Sequence, residues 1–95
     1  MMKLWFISQE ANNDYDTYDS AVVAAESEEA ARRTYPGGYY EWDDDNQGWR
    51  YVYGEKKPAK PDTWVADISA IEVKLIGTAA DHIGAGCICA SFNAG

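Results

Sequence analysis

Apolar residues occur in short runs along the chain, and the period of each run indicates its structure. Ile71, Val73 and Leu75 alternate with Glu72 and Lys74, which predicts a strand over Ile71–Ile76 with one wet face. Lys3–Ser8 (KLWFIS) is equally short but has no such alternation, which predicts a central strand covered on both faces. Gln9–Asp19 has no period and many Asn and Asp residues, so it reads as a loop. Ser20–Glu26 (SAVVAAE) follows as a second strand, antiparallel to the first.

Next comes a helix. Ser27 is a good N-cap, because its hydroxyl can accept from a free first-turn N–H. Glu28 and Glu29 suit the positive end of the helix dipole, and Arg32 and Arg33 suit the other end. Ala30, Ala31 and Thr34 make a small-residue face, and Pro36 with Gly37-Gly38 ends the helix and turns the chain. Tyr39–Trp42 and Trp49–Tyr53 are aromatic runs around a polar loop closed by Gly48, the signature of a hairpin. Gly54–Pro61 is a basic connector, and Thr63–Ala70 has room for one helical turn anchored by Trp64. Gly77–Gly86 is a loop, Cys87–Phe92 the last strand and Asn93–Gly95 a tail. The expected fold is α+β, a single domain over residues 1–95. It has an antiparallel sheet of about four strands, one helix packed on a face, and an aromatic β-hairpin.

Charge sharpens this picture. The net charge is −8, and residues 10–45 hold eleven acids against two bases, so the acidity is local. Direct binding to nucleic-acid phosphates or anionic lipid is disfavoured, since both need Lys/Arg clusters. Only Leu4–Ile7 follow Lys3 as an apolar run, so no secretory leader is expected, and no run approaches the ~18 apolar residues of a membrane helix. Cys87 and Cys89 lie two apart, should point the same way in a strand, and read as reduced thiols.

Motifs for chemistry are sparse. Asp43-x-Asp45-x-Gln47-Gly48 copies the start of a calcium loop, but Gly54 stands where the bidentate Glu is needed. His82 with Cys87-x-Cys89 supplies one pair of thiols where zinc sites draw on two spaced pairs. There is no P-loop, dinucleotide fingerprint or nucleophile–base set, so no cofactor is expected. The strongest feature is the overlap of acids with rings. Ten of thirteen aromatic residues fall between Tyr15 and Trp64, more than a small core easily holds. Exposed rings anchor interfaces, and carboxylates beside them pair with Arg and Lys. The expected partner-binding face therefore comprises Asp14, Tyr15, Asp16, Tyr18, Asp19, Tyr39, Tyr40, Trp42, Asp43, Asp44, Asp45 and Trp49.

The segments MKLWFISQ, YDTYDSAVVAAESEEAARR, IEVKLIGTA and ASFNAG resemble small phage and prophage proteins that have no assigned activity. The resemblance omits the aromatic hairpin and the Lys-Pro connector. It implies the cytoplasm of a bacterial host. By analogy with anti-CRISPR proteins, it also implies a non-enzymatic inhibitor that docks on a basic host protein, such as a nucleic-acid-binding immune effector. Three alternatives stay open: a small-ligand or nucleotide module stacking on Trp42, Trp49 or Trp64; a divalent-cation enzyme using carboxylates; and a homodimer that buries the hairpin.

Overall fold

The computed structural model describes residues 2–11, 17–37, 39–55, 57–59 and 63–93. It is an α+β fold. In chain order the elements are β1 (Lys3–Ser8), β2 (Thr17–Ala25), α1 (Glu28–Arg32), β3 (Tyr40–Asp43), β4 (Gly48–Tyr51), a 3-10 turn (Ile68–Ala70), β5 (Glu72–Thr78) and β6 (Gly86–Asn93). Four strands form an antiparallel sheet in the order β5-β1-β2-β6. The hairpin β3–β4 does not join it and makes a two-stranded sheet of its own.

The helix is short but capped as its sequence requires. Ser27 Oγ accepts from Ala30 N at 3.1 Å, and Glu28 and Glu29 occupy the first turn. Only Ala31 of the small-residue face is sealed, while Ala30 is exposed and Thr34 half-buried. Arg32 leaves the helix end to donate to the carbonyls of Ile68 and Ile71, tying α1 to the 3-10 turn. Asp67 caps that turn by accepting from Ser69 N at 2.9 Å.

The core lies between one sheet face and a cover made of α1, the hairpin and the segment before β5. Trp5, Ile7, Ala21, Val23 and Ala25 supply the sheet side; Ala31, Tyr35, Trp49, Trp64, Val65 and Ile71 supply the cover. Two indoles are satisfied inside it: Trp5 Nε1 donates to Ala25 O at 3.0 Å and Trp49 Nε1 to Val65 O at 2.8 Å.

Two expectations about β1 and β2 need correction. β1 is central, but only its Trp5 and Ile7 side is sealed; Phe6, on the opposite side, is 39% exposed. A single short helix cannot cover both faces of a four-stranded sheet, so one face stays open. β2 starts at Thr17, three residues earlier than the pattern indicates, with a register shift at Asp19 that hides the alternation. Gln9 secures the mouth of the preceding loop, its N–H donating to Asp19 O at 3.1 Å and its side chain to Tyr18 O at 2.9 Å. The basic connector folds back beside β4, with Tyr51 N donating to Lys57 O and Ala59 N to Trp49 O.

Candidate functional site

The hairpin has two unlike faces, and its register explains them. Tyr40 pairs with Tyr51 and Trp42 with Trp49, so these four rings share one side. Glu41 pairs with Arg50 and Asp43 with Gly48, on the other side. The Tyr-Glu-Trp-Asp alternation of β3 thus sorts rings from acids instead of mixing them on one surface. On the ring side Trp42 meets Trp49 edge-on, with centroids 5.2 Å apart. Trp49 is 2% exposed and Trp64 1%, so both belong to the core. Trp49 therefore leaves the expected contact face, and neither of these two indoles is open for ligand stacking.

On the charged side the acids are largely paired within the chain. Arg50 Nε lies 2.7 Å from Glu41 Oε1, and Arg50 Nη1 lies 3.9 Å from Asp43 Oδ2. Arg33 Nε lies 3.3 Å from Asp44 Oδ1, which also accepts from Trp42 Nε1 at 3.0 Å. Asp43 builds the turn: it accepts from Asn46 Nδ2 at 2.7 Å and from Asp45 N at 3.1 Å. The Asn46 bond chiefly, with the backbone bonds and Arg50, holds its carboxyl below the usual range. Those contacts turn the Asp43 oxygens toward the loop itself. Among the described residues no three His, Cys, Asp or Glu side chains are placed to hold a metal ion.

The accessible rings converge elsewhere. Tyr18 of β2, Tyr40 of β3, Tyr51 of β4, Phe92 of β6 and Tyr39 line a cleft of about 410 Å³ over Tyr35, with Gly37 and Thr63. Tyr39 is 67% exposed, and Tyr51 and Phe92 are also open to solvent. The rings are not a parallel stack. Tyr18 meets Phe92 edge-on at 4.9 Å, Tyr40 tilts against Tyr51 at 5.1 Å, and Tyr35 tilts against Tyr40 at 4.7 Å. Tyr35 is fixed from below by a hydrogen bond between its hydroxyl and Thr63 Oγ1. Among the described residues, no charged side chain is in the lining.

The structure thus brings Tyr18, Tyr39 and Tyr40 together and leaves Trp42 half-buried beside them. Asp43, Asp44 and Asp45 stand at the far end of β3, roughly 10 Å along the strand from Tyr40. Asp19 is exposed next to Tyr18. Asp14, Tyr15 and Asp16 lie outside the described residues. Tyr51, in the aromatic run of β4 but outside the expected face, joins the site opposite Tyr40; Phe92 is unannounced by any local pattern and arrives only because β6 pairs with β2, placing it opposite Tyr18. A second hollow of about 360 Å³ at the hairpin turn is lined by Asp43, Asn46, Gln47 and Trp49, closed by Pro58 and Ala59 of the folded-back connector.

The cysteines are also placed differently from expectation. A register shift sets Cys89 opposite Val22 and Cys87 opposite Val23, neighbours that point to opposite faces. Both thiols are free and exposed, and partial desolvation of Cys87, with Cys89 adding to it, pushes its pKa up. Comparison of the chain with protein-family models, with curated proteins and with solved structures finds no match.

Proposed function

We propose that this chain is a non-enzymatic interaction protein that docks on a basic partner through the tyrosine-lined cleft. The net charge of −8, with Asp19 exposed beside Tyr18, steers the partner more than it contacts it. One observation carries the reading: rings from β2, β3, β4 and β6 converge on a cleft with no charged side chain among its described lining residues, in a domain of net charge −8. A small domain gains nothing in stability from leaving Tyr39 two-thirds exposed; such rings are typical interface anchors. The unpaired negative charge nearest the hairpin tip is Asp45, since Asp43 and Asp44 are bound to arginines of the same chain.

In the context implied by the phage resemblance, the partner is a basic host protein in the bacterial cytoplasm. It would be an effector whose nucleic-acid or substrate access is obstructed by the bound domain. No helix among the described residues is long and apolar enough to cross a membrane.

Capture from a bacterial lysate on the immobilised full chain tests the proposal. The predicted result is a basic protein retained at ~0.1 M salt and released at ~1 M, where the screening length drops from ~10 to ~3 Å. It should be lost from Tyr39→Ala and weakened on Asp45→Lys. Retention unchanged by both substitutions and by salt contradicts the reading.

A further inference from the structure

We infer that the cleft bounded by Tyr18, Tyr39, Tyr40, Tyr51 and Phe92 over Tyr35 is a pocket for a weakly hydrated organic cation. That cation is a guanidinium or methylated ammonium group. This inference rests on the docking proposal and names the group that the partner inserts.

Solvation eliminates the other occupants. At about 410 Å³ the cleft is large enough for one side-chain head group and falls in the usual range of ligand sites. Its polar lining is meagre: the Thr63 hydroxyl is bound to Tyr35, and among the described residues no carboxylate faces the space. A metal ion or a bare ammonium, both strongly hydrated, finds nothing there to replace its water. An anion is opposed by the net charge of −8. A neutral apolar group gains from burial but nothing from the field. A guanidinium or a methylated ammonium sheds water cheaply, is attracted by the electron-rich ring faces, and is drawn in by the same net charge.

Ring orientation agrees with this. The Tyr18–Phe92 pair is edge-to-face at 67° and the Tyr40–Tyr51 pair is tilted at 33°, so the walls meet at angles, as the sides of a box do. Gly37 keeps the floor clear, since a Cβ there would stand 3.4 Å from both Tyr18 Oη and Tyr35 Cε1.

The test is a titration of the ¹⁵N,¹³C-labelled full chain, followed at the Tyr18, Tyr39, Tyr51 and Phe92 resonances. Four probes are used: N-acetyl-arginine amide, N-acetyl-trimethyllysine amide, N-acetyl-lysine amide and the neutral N-acetyl-norleucine amide. Saturable shifts with the arginine or trimethyllysine probe are expected, with lysine and norleucine both weaker. Whichever of the first two binds tighter identifies the source of the cation. Tyr39→Leu, at an exposed position that does not hold the fold, should weaken binding roughly two- to fivefold, the worth of one exposed ring. Gly37→Ala should weaken it by narrowing the floor. Norleucine binding as tightly as the cations overturns the inference, as does the absence of saturation with any cation. Should Tyr39→Ala still abolish partner capture while no cation titrates, docking stands and the cation assignment falls.

Discussion

The aspartates of the hairpin turn look alike in sequence and do different work in the structure. Asp43 is a turn former whose carboxylate is held by Asn46, Asp45 N and Arg50; Asp45 carries its charge outward. Because the folded-state pKa of Asp43 is depressed, its contribution is complete above the ordinary value of 3.8 and is lost as pH falls through the lower folded value. Amide exchange at Asp45 and Asn46, taken relative to the intrinsic rate at each pH, should therefore stay protected until the pH is below 3.8 and then lose protection, and Asp43→Ala should remove that protection at every pH. Cys87 offers a second residue-level test. With its pKa raised above 9.0 by partial desolvation, a Cys89→Ser variant should alkylate slowly with iodoacetamide at pH 7 and speed up only beyond pH 9. Rapid alkylation at neutral pH would contradict the raised pKa of that thiol.

At the scale of elements, residues with local work were legible in the sequence and those set by distant pairing were not. The Ser27 cap follows from a hydroxyl before two glutamates, and the β5 strand from its period, although Leu75, expected inward, is 52% exposed. Ser27→Ala should cost about 1 kcal/mol in urea unfolding, the usual worth of a cap. Register shifts are invisible in a single strand's pattern, so the early start of β2 and the opposed cysteines could not be read in advance. The candidate site was half legible for the same reason. That surplus rings would be exposed follows from domain size. Which rings emerge depends on the alternation of β3 against β4, and Phe92 depends on a partner strand far away in sequence. Acids and rings adjacent in sequence were expected on one surface, yet period two puts neighbours on opposite sides. Trp49→Ala should thus cost ~3–5 kcal/mol, as for deletion of a buried aromatic, and Trp42→Ala clearly less. Equal losses in urea unfolding would mean that the two rings are not divided between core and rim as described.

For the whole molecule, two surfaces compete to be the contact site. One is the tyrosine cleft with the hairpin. The other is the uncovered side of the sheet, where Phe6 is open to solvent, continuing to the edge strand β6, where Ile88 is 48% exposed. Charge separates them, because the chain carries no Asp, Glu, Lys or Arg after Asp81. A partner drawn by electrostatics should approach the acidic hairpin side, and its binding should fall with salt; a partner seated on β6 should be nearly indifferent to salt. Hydrogen exchange of the free chain against the captured complex decides between them most directly. The account predicts new protection at residues 39–53 and at Tyr18–Asp19, removed together with binding at high salt. Protection confined to β1, β5 and β6, and unmoved by salt, would contradict it.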